Sequence, residues 1–217
     1  MTNEHNVIIG ATGASGVVYA QALIRELLSQ NITVHFIPTA HAAVVWREEL
    51  EKERRSRAKT PRRQEWTARL AISSDRADRL VVYDDQDIEA APASGTFRER
   101  AMVVVPCSMN TLARIAHGIA DTLLTRAAGV CLKERRPLIL VPRETPLSLI
   151  ALRNQVAAAE AGAVILPASP GFYHRPASIA DLVNFIVSKI CDQLALPCST
   201  SVRYGRNRAS QFKIPHS

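Results

Sequence analysis

Six short, almost purely apolar runs recur along this chain, at 6–10, 33–37, 80–83, 101–105, 138–141 and 163–166, with segments of helical period between them. A strand with one wet face alternates apolar and polar residues, and runs such as "AMVVV" and "LILV" do not, so both of their faces must be covered. In 17–29, Ala20, Leu23, Ile24, Leu27 and Leu28 fall at i, i+3, i+4, i+7 and i+8, one apolar stripe. Further helices are expected at 40–52, 109–117, 121–132, 147–161 and 178–194. Short buried strands alternating with one-sided helices point to an α/β fold: a doubly wound domain with a mainly parallel sheet and helices on both faces. That domain is expected to span 1–196, followed by a polar, basic tail at 197–217 whose end is mobile.

Charge narrows the function classes. The formal net charge is +7, but residues 52–69 alone carry a net +6 and the chain from Ser201 onward a net +4. The rest of the chain is therefore slightly acidic, and the basic stretches have little aromatic interleaving beyond Trp66, which argues against nucleic-acid binding. The stretch "LEKERRSRAKTPRRQEW", 50–66, either extends a helix until Pro61 stops it or forms an exposed lid. No apolar run is long enough to span a bilayer, and "MTNEHN" is not a secretory signal. Cys107, Cys131, Cys191 and Cys198 have no C-x-x-C spacing and no histidine pair has ligand spacing, so neither a metal nor a disulfide framework is indicated. A reducing, cytoplasmic setting is expected.

In an open parallel sheet, ligands collect beyond the carboxyl ends of the strands. The segments there are "GATGASG" after the first strand, "PTAH" after the second, "PCSMNT" after the fourth, "PRETPLS" after the fifth and "PASPGFYHRP" after the sixth. All are polar or rich in Gly and Pro, and all should open on one edge. The G-x-x-G-x-x-G spacing lets backbone N–H groups and a helix start face an anion, with the Ser15 hydroxyl beside them. A dinucleotide is disfavoured because the second strand ends Ile37-Pro38-Thr39, with no acid to hold a ribose. Ser108 is placed to cap the next helix, with or without a ligand at Asn110 and Thr111. The strand-end position of Cys107 favours packing over nucleophilic use. Arg143 can clamp a phosphate and Glu144 can shuttle a proton, the alternative being a surface ion pair. Lys133 reads as a solvated helix end, and Lys189, on the apolar stripe of a helix opened by Ser178 and Asp181, either snorkels or meets an anion.

"GATGASG", "PCSMNTLARIAHGIADTLLTRAA", "LKERRPLILVPRETPLS" and "ILPASPGFYHRP" together resemble the flavin prenyltransferase (UbiX-like) family, in the flavoprotein group that includes cysteine decarboxylases; the likeness covers about 5–196. It implies a Rossmann-like fold and a transferase that joins a dimethylallyl group from dimethylallyl monophosphate to N5 and C6 of reduced FMN. The product would be prenylated FMN for a UbiD-type decarboxylase, made without a metal by a homo-oligomer, a dodecamer in the family. Position by position, Gly13, Ala14, Ser15, Thr39, Ser108, Met109, Asn110, Thr111, Arg126 and Arg143 match flavin contacts. Tyr173 and Lys189 match holders of the prenyl phosphate, with Arg143. Lys133 and Glu144 match residues that complete the phosphate pocket from a neighbouring subunit. Ser15, Glu49 and Glu144 match the proton-handling set. Two other readings keep the flavin: FMN-dependent cysteine decarboxylation, and a non-catalytic flavin carrier or accessory decarboxylase subunit.

Overall fold

The computed structural model describes residues 5–51 and 63–200. Strands β1 (Asn6–Ala11), β2 (Thr33–Pro38), β3 (Leu80–Val82), β4 (Ala101–Cys107), β5 (Leu138–Pro142) and β6 (Val164–Ile165) form one sheet in the order β3-β2-β1-β4-β5-β6. Every pairing in it is parallel. The six expected strands are therefore all present, each within a residue or two of its predicted bounds. The helices are α1 (Val17–Ser29), α2 (Ala40–Leu50), α3 (Arg63–Arg69), α4 (Ser74–Ala77), α5 (Met109–Ala116), α6 (Leu123–Lys133), α7 (Leu149–Glu160) and α8 (Ile179–Gln193).

Because successive side chains on a strand point to opposite faces, the sheet divides the core in two. Val7, Ile9, Val103, Val105, Ile139 and Val141 pack against α1, α2, α3 and α8. Ile8, Met102, Val104, Leu138 and Leu140 pack against α5 and α6. Both faces of each central strand are thus dry, which is why the strands read as unbroken apolar runs. Five helices start at a hydroxyl that accepts the N–H three residues on: Thr39, Ser108, Thr122, Ser148 and Ser178. Thr122 and Ser178 form full capping boxes, with Thr125 and Asp181 returning the bond.

The second crossover departs from expectation. α2 ends at Leu50: Glu51 is extended (φ −99°, ψ 119°), and its Oε1 lies 3.0 Å from Arg69 Nε. The lid alternative falls mainly on 52–62, outside the described residues, as does the expected mobility of the tail beyond 200. A separate helix, α3, carries Trp66 into the core, where it meets Phe36 and Trp46 edge-on at 5.1 Å in both cases. α4 and a 3-10 turn at Ala91–Ala93 were not expected either, since elements of four and three residues are too short to show a period. Residues 197–200 are held to the body: Glu26 accepts the Ser199 N–H at 2.7 Å, and Gln30 Nε2 donates to the Pro197 carbonyl at 2.8 Å.

His35 is buried within β2, its Nδ1 at 2.9 Å from the Tyr83 hydroxyl, and desolvation lowers its pKa to about 4 against the opposing pull of Glu99. An unfolded histidine titrates near 6.5, so between those values the unfolded chain binds more protons and stability falls as pH drops. Urea unfolding should show a loss of roughly 2–3 kcal/mol from pH 6.5 to 4, flattened in His35→Leu. Trp66→Ala should cost about 3–5 kcal/mol by the same measurement, and Trp66→Phe far less, because the phenyl ring retains most of the packing.

Candidate functional site

The strand order reverses direction of winding between β1 and β4, and a crevice opens there beyond the strand ends. Thr12 spans it. Its hydroxyl donates to the Pro106 carbonyl at 2.8 Å and accepts the Ser108 N–H at 2.8 Å. Above it lies a cavity of about 440 Å³ lined by the first turns of α2, α5 and α6 and by the segment after β3. Of the residues singled out from the sequence, Gly13, Thr39, Ser108, Asn110 and Thr111 line it.

Local structure explains each placement. Gly13 touches the first turn of α2 so closely that a Cβ there would sit 2.6 Å from His41 Cβ, so only glycine lets that helix close on the loop. Thr39 and Ser108 satisfy one N–H each, those of Ala42 and Thr111. The N–H groups of His41 and Asn110 have no partner among the described residues, so two helix starts offer donors toward one cavity. A phosphate and a hydroxylated chain match such a lining, and the volume suits a ligand of cofactor size, for which pockets run about 300–1,000 Å³.

The helix start that the glycine motif pointed to is used differently. Gly16 is left-handed (φ 105°), and the Glu49 carboxylate accepts the Gly16 N–H at 3.0 Å and the Val17 N–H at 3.1 Å. The anion at the α1 N-terminus is thus the protein's own. Burial and Glu49 together raise the pKa of the adjacent Tyr19. Arg143, arriving from the end of β5, donates from Nε to the Ser15 carbonyl at 3.3 Å. Ser15, Glu49 and Arg143 therefore share one corner beside the cavity. Glu144 follows, with its Oε1 accepting the Thr145 N–H at 3.0 Å.

Tyr173 and Lys189 come together over a third residue. The Tyr173 ring lies 5.8 Å from that of Phe185, and Lys189 Nζ lies 5.8 Å from the centroid of the same ring. Four residues stand apart from these groups. Ala14 is buried in the loop, and Met109 packs into the second core. Arg126 is exposed on α6. Lys133 ends α6, roughly 14 Å along the helix from cavity-lining Leu124 at 1.5 Å per residue, where it pairs with Glu134 beside Gly95. It is not among the residues that line the cavity of its own subunit.

Several lining residues escaped the sequence reading, Asp85 above all. It is 6% exposed, accepts the Leu124 N–H at 2.9 Å through Oδ1, and has its pKa raised mainly by desolvation. Its signal was available, since "DDQ" follows β3 as the other loops follow their strands. His41, Gln86 and Arg114, the last paired with Asp121 at 3.0 Å, complete the wall. Cys107 is fully buried, which pushes its thiol pKa up and makes it a packing residue. Among the described residues there is no cluster of three or more His, Cys, Asp or Glu able to hold a metal, and no helix is long and apolar enough to cross a membrane.

A doubly wound sheet with a phosphate-ready cavity at its switch point defines a nucleotide- or flavin-binding protein, and the Flavoprotein family model matches residues 1–191. The chain is 41% identical over 192 residues to the flavin prenyltransferase UbiX of Synechocystis sp., covering 88% of this chain and 92% of that one. It matches the crystal structure of AnUbiX (PadA1) in complex with FMN and dimethylallyl pyrophosphate with a TM-score of 0.80 and 35% identity, over 92% of this chain and 97% of that one. A dodecameric FMN-dependent UbiX-like decarboxylase from Escherichia coli O157:H7 matches with a TM-score of 0.77 and 35% identity, over 92% and 98%. This chain belongs to the UbiX flavin prenyltransferase family.

Gly13→Ala should separate fold from site. It forces the start of α2 away from the cavity, so flavin fluorescence titration should show at least tenfold weaker FMN binding while far-UV circular dichroism stays unchanged.

Proposed function

We propose that this protein is a flavin prenyltransferase, which moves a dimethylallyl group from dimethylallyl monophosphate to N5 and C6 of reduced FMN and passes prenylated FMN to a UbiD-type decarboxylase. The observation that carries the reading is the adjacency of two built features. One is the cavity of about 440 Å³ with its two helix starts; the other is the corner where Arg143 reaches Ser15 beside the Glu49 carboxylate. The first suits FMN, with Thr39, Ser108, Asn110 and Thr111 as polar contacts; the second suits a phosphate that must leave with the electron pair of its carbon–oxygen bond.

In this reading the chemistry is electrostatic. Arg143 and Lys189 hold the departing phosphate as its charge develops, and Tyr173 donates a hydrogen bond to it. Ser15 and Glu144 pass a proton toward the phosphate, while Glu49 takes the one released when the second ring bond forms. FMN supplies the nucleophilic atoms, and the protein's part is to orient them, exclude water and place these charges. Met109, Ala14 and Arg126 are further candidates for flavin contact, although none of the three lines the cavity itself.

Lys133 acts on a neighbouring subunit. Its distance from its own cavity supports that assignment, as does the apolar surface this subunit leaves open: Leu149 at 61%, Ile150 at 71%, Val156 at 57% and Ile179 at 77% exposure. Large apolar side chains left open in this way are what subunit contacts bury. A homo-oligomer, dodecameric as in the related UbiX-like decarboxylase, follows, working in the cytoplasm.

Anaerobic incubation with reduced FMN and dimethylallyl monophosphate, followed by mass spectrometry of the extracted flavin, should show the gain of one five-carbon unit. Lys189→Ala and Tyr173→Phe should each slow that gain by about 10–100-fold, and Glu144→Gln should do so with FMN affinity unchanged. Unmodified FMN after trials with both the monophosphate and the diphosphate donor would overturn the proposal in favour of a flavin carrier.

A further inference from the structure

The cavity at the switch point has to match the charge of what it holds. FMN carries a phosphate monoester, with a charge of about −1.5 to −2 near neutral pH. Each of the two open helix starts, those of α2 and α5, is equivalent to roughly +0.5. The start of α6 adds no open donor to these: Asp85 accepts the Leu124 N–H at 2.9 Å, and the Thr122 hydroxyl accepts the Thr125 N–H at 3.3 Å. Glu49 occupies the start of α1. The two open starts therefore leave up to about one unit of the phosphate charge unmatched. Among the described residues that line the cavity, Arg114 is the only lysine or arginine. It lies on α5 four residues after Asn110 and three after Thr111, so the three share one helix face. Helical side chains lean toward the N-terminus of their helix, which carries the guanidinium back over Asn110 toward the open donors.

The partner that Arg114 has in the fold is Asp121. Arg114 Nη1 lies 3.0 Å from one oxygen of that carboxylate and 3.2 Å from the other. The two side chains are 37% and 49% exposed, and an ion pair so open to water contributes little. Arg114 can exchange it for a phosphate at small cost. We infer that Arg114 is a binding residue for the phosphate of FMN, and that Asp121 competes with that phosphate for the guanidinium. The inference rests on the reading of this cavity as the FMN site. A planar fork of N–H donors suits a phosphate better than a single point charge does, and its full positive charge matches what the helix starts leave over.

Riboflavin separates this role from one of merely shaping the wall, since it has the ring system and hydroxylated chain of FMN without the phosphate. In fluorescence titrations, Arg114→Ala should weaken FMN binding about 10–100-fold while riboflavin affinity stays within about twofold. Arg114→Lys keeps the charge but loses the fork, and its FMN affinity should fall between the two. Asp121→Asn frees the guanidinium, so FMN should bind about two- to fivefold more tightly, with riboflavin again unchanged. Far-UV circular dichroism should be the same for every variant. Equal losses of FMN and riboflavin in Arg114→Ala, or FMN affinity unchanged in that variant, would overturn the inference. Asp121→Asn without tighter FMN binding would remove the competition from it. An unsubstituted protein that binds neither flavin would instead sink the reading of the cavity as the FMN site, so the two failures are distinguishable.

Discussion

Thr12 ties together the two strand ends between which everything functional is arranged. At the switch point the chain must leave β1 toward one side of the sheet and β4 toward the other, and the crevice between them would otherwise be held only by backbone. The Thr12 hydroxyl, 1% exposed, donates to Pro106 and accepts from Ser108, so it fixes the glycine loop and the α5 cap at one separation. Both hydrogen-bonding roles of a hydroxyl are used, as a buried one requires. The positions of Gly13 and Asn110 on opposite walls of the cavity follow from that tie.

Charge is distributed around this frame in a way that separates two tasks. The α1 N-terminus is neutralised internally by Glu49, which binds α2 to the glycine loop and keeps a carboxylate beside Ser15. The starts of α2 and α5 keep unpaired donors and face the larger cavity. One helix start thus holds a carboxylate of the protein itself, and two keep donors open to the cavity. Arg143 joins the regions by reaching from the end of β5 to the Ser15 carbonyl, so a loop more than a hundred residues away in sequence helps shape the glycine turn.

The fold was legible because burial on both faces of the sheet demands apolar runs, and helices packed on one side show their stripe. The second crossover was not legible. α2 ends before Glu51, which pairs with Arg69, and Trp66 returns to meet Phe36 and Trp46 edge-on; both depend on partners distant in sequence. Around the site, the loops after strands announced Thr39, Ser108, Asn110 and Thr111, since each caps or opens a helix by local rules. Asp85 was missed although it follows β3 by the same rule.

By itself the sequence determined the parallel α/β class, the edge on which ligands gather and, through its motifs, the flavin prenyltransferase family. The class and the edge follow from periodicity, capping and composition, which act over a few residues at a time, whereas the family came from the resemblance of its motifs. Only the tertiary structure decided which helix starts remain available to a ligand, that Glu49 occupies the one the glycine motif advertised, and that Lys133 lies outside the lining of its own cavity, paired with Glu134. Those outcomes depend on distances between groups brought together from separate elements, and the energy of a hydrogen bond or ion pair depends on that separation and on the burial around it.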